Sequence, residues 1–156
     1  MAAHASIVIV EPLLSHDAVA LAQSIAIEVD AFPRAAEEFG LFTAHARVCV
    51  ARMPGEARVV GFAAVRRGSD IYIERLAVDR RYRRLGVGRA LLHALVTDAQ
   101  AAKVRGLALH VSVANSEAIA LYRAEDFVFR RRAPGFYAAG VFDPTGDAYE
   151  MYRSVL

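Results

Sequence analysis

The sequence predicts a single mixed α/β domain with the element order βααβββαβαββ. Three observations predict it: short β-branched runs alternate with stretches of helical periodicity, glycine, proline and aspartate punctuate their boundaries, and no repeat or linker divides the 156 residues. With 56% hydrophobic and 23% charged residues, the chain lies far from a disordered or fibrous composition. A fold of this length withdraws roughly 70% of its unfolded-chain surface from water, so a core forms without staples.

Ser6 to Val10 is apolar and β-branched, is bounded by Pro12, and predicts a first strand. Ser15 and Asp17 are caps for a helix over His16 to Val29, where Val19, Ala22, Ile25, Ala26 and Val29 recur at helical spacing. Phe32-Pro33 interrupts it, and a second short helix is expected over Arg34 to His45. Val48 to Met53 and Ala57 to Val65 read as a hairpin around Pro54-Gly55, and Gly68-Ser69-Asp70 turns the chain into a strand over Ile71 to Val78. Between Gly86 and Lys103, apolar residues at Val87, Leu91, Leu92, Leu95, Val96 and Ala99 make an amphipathic helix. Leu107 to Val113 is a strand, Asn115 or Ser116 caps a helix through Arg123, Phe127 to Arg131 is extended, and Tyr149 to Val155 closes the sheet. The segment Ala133 to Asp147 carries Pro134, Gly135, Gly140, Pro144 and Gly146 and is a long loop of the kind that serves as a functional lid.

Net charge is +2, which excludes a general polyanion binder. The basic residues are 18 Arg and the single Lys103, and eight of the arginines fall between Arg66 and Arg89 against Asp70, Glu74 and Asp79. The near-neutral total therefore hides a mildly acidic body and one arginine-rich stretch suited to phosphate. Cys49, the only cysteine, excludes an internal disulfide framework and a multi-thiolate zinc site. Between Val48 and Val50 it reads as a buried core thiol. His4, His16, His45 and His93 show no metal-ligand spacing, so no metal is expected. Met1 to Leu14 has no basic n-region, and its apolar run Ile7 to Val10 is too short for a signal or membrane segment, so a cytoplasmic, unanchored protein is expected.

The most informative stretch is Arg83-Arg84-Leu85-Gly86-Val87-Gly88-Arg89-Ala90, between a strand and a helix. A glycine-rich turn of this kind presents backbone N–H groups and the positive end of a helix dipole to phosphate. It is not a Walker loop, because Arg89-Ala90 stands where Lys-Ser or Lys-Thr would follow the glycine. Nor is it a Rossmann fingerprint, because no third glycine follows Gly88 at the required spacing.

Here the sequence resembles the GNAT superfamily of acetyl-CoA-dependent N-acetyltransferases. Its hallmark stands as Arg83-x-x-Gly86-x-Gly88, after the strand Leu76-Ala77-Val78, and a second signature stands as Asn115-Ser116-Glu117-Ala118-Ile119-Ala120-Leu121-Tyr122. Within the superfamily the chain is most similar to protein N-terminal acetyltransferases of the ribosomal-protein alanine and Met-type groups, through Phe32-Pro33, Tyr72, Leu109-His110-Val111, Phe136-Tyr137 and Asp147-Ala148. The resemblance implies a GNAT-like domain over residues 1 to 156, a mixed, mostly antiparallel sheet and about four helices. It also implies backbone contacts from Leu76, Ala77 and Val78 to the pantetheine arm of acetyl-CoA, pyrophosphate binding by Arg83, Arg84, Leu85, Gly86, Val87, Gly88, Arg89 and Ala90, and a hydrogen bond from Asn115 near the thiol. The bacterial alanine enzymes carry a glutamate at the position of His110, so this departure favours His110 with Tyr72 as the base system. Asp126 departs as well, standing where the family carries glycine, and implies a slightly strained helix end.

Transfer to an amine requires a base, close placement and oxyanion stabilisation. His110 is the expected base, Tyr122 the acid that protonates the departing thiolate, and Tyr72 the partner of His110. Strand parity puts Tyr72 with Glu74 and Ala108 with His110 and Ser112. Glu74 is a second candidate base or an arginine-paired strand carboxylate. Phe32, Pro33, Tyr72, Glu74, Phe136 and Tyr137 are expected to line the acceptor groove. Arg130-Arg131-Arg132 reads as an exposed face that could attract an acidic substrate or a ribose phosphate. The expected acceptor is a protein N-terminal α-amine, with a small-molecule amine or a lysine side chain as the alternative and a non-catalytic acyl-CoA-binding module as the reading of another class. No nucleic-acid or membrane partner is expected, and the state is a monomer or homodimer.

Overall fold

A computed structural model of the chain describes residues 8–32 and 46–156. Its elements are strand β1 (Ile9–Pro12), helix α1 (Ala18–Ala31), strands β2 (Arg47–Arg52), β3 (Val59–Arg67) and β4 (Ile71–Val78), a 3₁₀ turn (Arg80–Tyr82), helix α2 (Val87–Ala101), strand β5 (Gly106–Ser112), helix α3 (Ser116–Ala124), and strands β6 (Val128–Ala133) and β7 (Ala148–Ser154). The strand order is β1-β2-β3-β4-β5-β7-β6. The pairs β1–β2, β2–β3, β5–β7 and β6–β7 are antiparallel and β4–β5 is parallel, so the sheet is mixed and mostly antiparallel, as expected. The helix expected over Arg34 to His45, together with Pro33, His4, His45 and the first residues of the expected β1, lies outside the described residues. Two compact units emerge, one drawn from Met1–Val65 and Arg75–Ala94, the other from Arg66–Glu74 and Leu95–Leu156.

In the first unit, Val50, Val59, Phe62 and Ala77 form a core with Ala20 and Ile27 of α1. Asp17 caps that helix, its Oδ1 accepting from the Ala20 N–H at 2.8 Å. The buried face of α1 is Ala20, Ser24, Ile27 and Glu28, which corrects the expected stripe, since Val19 is 67% exposed and Val29 41%. Two buried polar residues disguise the stripe. The Ser24 hydroxyl donates to the Ala20 carbonyl at 2.8 Å, and Glu28, fully buried, accepts from Arg75 Nε at 2.9 Å. Pro12 does not bound β1 from outside but ends it opposite Cys49, at a sheet edge where a missing N–H is tolerated. There Cys49 is half-buried rather than buried. Strand β3 starts at Val59 and not at Ala57, because the Ala57 carbonyl is tied into the turn by Arg52 Nε at 2.9 Å.

Helix α2 starts close against β3 because Gly61 has no side chain. A Cβ there would stand 2.9 Å from Val87 Cγ1 and 3.1 Å from the Ala77 carbonyl oxygen. Leu91, Leu92, Leu95, Val96 and Ala99 are buried along α2, as its periodicity predicts.

In the second unit, Leu107, Leu109 and Val111 of β5 are buried with Met151 of β7. The alternate residues of β5 share the opposite face with Tyr72, which is paired with Ala108. Asp126 follows α3 with φ at 66°, the left-handed conformation expected of it. Strand β6 forms the edge, with Val128 60% and Phe129 46% exposed, and a register shift between Phe129 and Arg131 leaves one extra residue, Arg130, in the strand. The loop over residues 134–147 is tied at both ends. Asp147 Oδ1 accepts from the Gly135 N–H at 2.9 Å, its Oδ2 accepts from Arg132 Nε at 2.9 Å, and the Tyr137 N–H donates to the Gly146 carbonyl at 2.8 Å.

Among the described residues, no helix is long and apolar enough to cross a membrane, and no group of three or more His, Cys, Asp or Glu side chains could hold a metal ion.

Candidate active site

The second unit brings together four of the expected residues around one imidazole. His110 and Tyr72 stand on adjacent parallel strands, two residues out of register and therefore on the same face, and the Tyr72 hydroxyl lies 2.8 Å from His110 Nδ1. From the 134–147 loop, Phe136 stacks on the imidazole with ring centroids 4.0 Å apart and planes 7° from parallel. The Tyr137 hydroxyl donates to the His110 carbonyl at 3.3 Å. His110 Nε2 is buried and has no hydrogen-bond partner among the described residues. Burial pushes the His110 pKa below the ordinary histidine range; Glu150 opposes the shift and Arg131 adds to it. The imidazole is therefore neutral at pH 7, the form that can accept a proton.

Glu74 is held by Arg66, and only 8% of its side chain is exposed. Tyr122 is buried on α3, its ring 5.6 Å from that of Phe127. Burial, with a smaller contribution from Tyr137, raises its pKa above the ordinary tyrosine value, so its hydroxyl keeps its proton. Asn115 caps α3, its Oδ1 accepting from the Ala118 N–H at 3.2 Å. The Arg130-Arg131-Arg132 run is exposed but largely matched internally: Arg130 and Arg131 approach Glu150 at 4.0 and 2.5 Å, and Arg132 meets Asp147 at 2.8 Å. Sequence reasoning missed Glu150. Its signal was an acidic residue inside an apolar closing strand, but only the register pairing it with His110 shows what it faces.

The first unit holds the glycine turn. The chain runs from Val78 through the 3₁₀ turn, in which Asp79 accepts from the Arg81 N–H at 2.9 Å and from its guanidinium at 2.8 Å, holding the carboxyl at about 2. Arg84 lies at φ 61° and Gly86 at φ 83°, and a Cβ on Gly86 would meet nothing within 4 Å. The first helical bond of α2 runs from the Ala90 N–H to the Gly86 carbonyl, so the N–H groups of Gly86, Val87 and Gly88 precede the helix ladder. Open space over a glycine, N–H groups ahead of the ladder and the charges of Arg83, Arg84 and Arg89 fit a diphosphate. Leu76, Ala77 and Val78 form the end of β4, and the Val78 carbonyl accepts from Arg83 Nε at 3.4 Å. Phe32 closes α1, and the Arg75 guanidinium, which also meets the buried Glu28, lies over it with its Cζ 5.5 Å from the Phe32 ring centroid. A cavity of about 370 Å³ between α1 and the 3₁₀ turn is lined by none of the expected site residues, and its Arg80 and Arg81 are matched by Asp30 and Asp79.

Residues 17–127 match the model of the acetyltransferase (GNAT) family. No curated protein matches the chain. Among solved structures, the ribosomal-protein alanine N-acetyltransferase of Escherichia coli is 25% identical with a TM-score of 0.80, covering 96% of this chain and 94% of that one. Arabidopsis thaliana NAA60, solved with a bisubstrate analogue, is 25% identical with a TM-score of 0.76, covering 94% and 97%. A nourseothricin acetyltransferase is also 25% identical, at a TM-score of 0.65, covering 73% of this chain and 68% of that one. With the family model spanning more than two thirds of its residues, this chain belongs to the GNAT family and is an acetyl-CoA-dependent N-acetyltransferase.

Proposed function

We propose that residues 1 to 156 form one catalytic domain that acetylates protein N-terminal α-amines in the cytoplasm. The observation that carries the mechanism is the 2.8 Å contact between the Tyr72 hydroxyl and His110 Nδ1, with Nε2 on the other side of the ring buried and without a hydrogen-bond partner among the described residues. When Nδ1–H donates to the Tyr72 oxygen, the lone pair lies on Nε2, the atom that accepts the amine proton. Acetyl-CoA supplies the activated thioester. The Arg83 to Ala90 turn holds the pyrophosphate, Leu76, Ala77 and Val78 align the pantetheine arm, and Asn115 contributes a hydrogen bond near the thiol. Tyr122 donates toward the departing thiolate. Because its pKa lies above that of a thiol, about 8.5, it acts chiefly by hydrogen bonding, with solvent completing the protonation. Glu74, Phe136 and Tyr137 flank the acceptor, and Phe32 and Pro33 are proposed as further acceptor-binding residues. The likeness to the ribosomal-protein alanine N-acetyltransferase supports a protein acceptor, and the likeness to the nourseothricin acetyltransferase favours a small molecule as the second reading.

A peptide library with free N-termini, assayed with acetyl-CoA beside lysine-blocked peptides and small polyamines, tests the acceptor. Acetylation confined to ε-amines or polyamines would refute it. In the same assay His110→Ala lowers kcat by about 10²-fold and Tyr122→Phe by about tenfold, with acetyl-CoA affinity nearly unchanged.

A further inference from the structure

Besides the groups the proposed transfer step uses, His110 is faced by charged side chains that the step does not use. From β4 the Tyr72 hydroxyl meets its Nδ1, and further along that strand face Glu74 is held by Arg66. From the 134–147 loop come the Phe136 ring and the Tyr137 hydroxyl. From β7, Glu150 is the register partner of His110. From β6, Arg131 and Arg130 converge on Glu150.

A carboxylate beside an imidazole favours the imidazolium, which cannot take a proton from an amine. Each Glu150 oxygen faces a guanidinium instead: Oε2 accepts from Arg131 Nε at 2.5 Å, and Oε1 lies 4.0 Å from Arg130 Nη1. Regular alternation would send consecutive residues to opposite faces. The bulge between Phe129 and Arg131 lets both arginines serve one face, and Arg130 at the same time covers the Tyr152 ring at 3.5 Å.

We infer that Arg131, with Arg130 in support, is a positioning residue that acts through Glu150: the clamped carboxylate lies across the strand pair from His110, and its neutralisation keeps the imidazole in the proton-accepting form. This rests on the reading of His110 as the base. The direction of each charge agrees, since Glu150 favours protonated His110 and Arg131 disfavours it.

The test is an NMR titration of the His110 imidazole in the full chain, with kcat/KM measured across the same pH range. His110 is one of only five histidines, and its signal is assigned with His110→Gln. Arg131→Gln raises the His110 midpoint and lowers kcat/KM at pH 6 by about threefold, while the value at pH 8.5 stays within about twofold. Arg131→Lys keeps most of the wild-type behaviour, and Glu150→Gln added to Arg131→Gln returns the midpoint toward wild type. An unchanged midpoint in Arg131→Gln, or no reversal by Glu150→Gln, overturns the inference. A midpoint that moves while the acid limb of the rate stays in place upholds the coupling and refutes His110 as the base. Arg131 is an exposed edge-strand residue, so its variants retain the fold even if Glu150→Gln does not.

Discussion

At the scale of single residues, His110 is governed by what surrounds its ring. Phe136 covers one face, and burial outweighs the pull of Glu150, so the folded protein binds a proton at His110 less readily than the unfolded chain does. The rate should hold through pH 7 and fall only below the ordinary histidine value of about 6.5. Tyr72→Phe removes the hydroxyl that fixes the ring and its tautomer, and is expected to lower kcat by about tenfold with the KM for acetyl-CoA unchanged. Steady-state kinetics on both substrates checks this. An equal loss in Phe136→Ala and Tyr72→Phe would point to ring burial rather than the hydrogen bond as the decisive contact. His110 and Tyr72 were legible through the resemblance to N-terminal acetyltransferases, while strand parity gave only the face that each shares with the alternate residues of its own strand. Glu150 was not, because its role depends on the β5–β7 register, a long-range property that no local pattern encodes.

Among the elements, β3 and α2 show how backbone proximity positions a binding turn. Gly61 lets the first residue of α2 approach the strand, and the glycine turn is fixed by where that helix begins. Gly61→Val drives its added atoms toward Val87 Cγ1 and the Ala77 carbonyl. It is expected to cost about 1–3 kcal/mol in urea unfolding and to raise the KM for acetyl-CoA more than it lowers kcat. A variant with normal stability and an unchanged KM would show that the turn is held by other contacts. The strand and helix assignments from β2 through β7 were legible from periodicity and turn residues, with ends displaced by one or two positions. Helix α1 was found, but its buried face was misjudged. Ser24 and Glu28 are polar by composition and buried by pairing, and a hydrophobic pattern cannot register a carboxylate neutralised by Arg75. The bulge in β6 was equally hidden, since three consecutive arginines alternate neither in charge nor in hydropathy.

Across the whole molecule, arginine-carboxylate pairs set the response to acid. Asp79, held at about 2 by Arg81, and Asp147, lowered by the Gly135 N–H and Arg132, both lie below their unfolded values. Their contribution is complete above about pH 4 and is lost as pH falls through the folded values. Exposure of the Arg81 side chain limits the Asp79 share to about 1 kcal/mol. His110 acts over a different window: its lowered folded pKa means that stability already declines as pH drops below about 6.5. Urea midpoints from pH 7.5 to pH 3 should therefore fall in two stages, and His110→Gln should remove the upper one. A single transition below pH 4 in the wild type would contradict the account of His110.

The bias toward arginine has a further effect at Lys103. This exposed residue follows α2 with φ at 55° and carries the sole ε-amine of the chain. An enzyme whose chemistry is the capping of amines thus offers its own reaction, or a neighbouring copy's, one lysine to modify, and its guanidinium groups can hold phosphate without being consumed as acceptors.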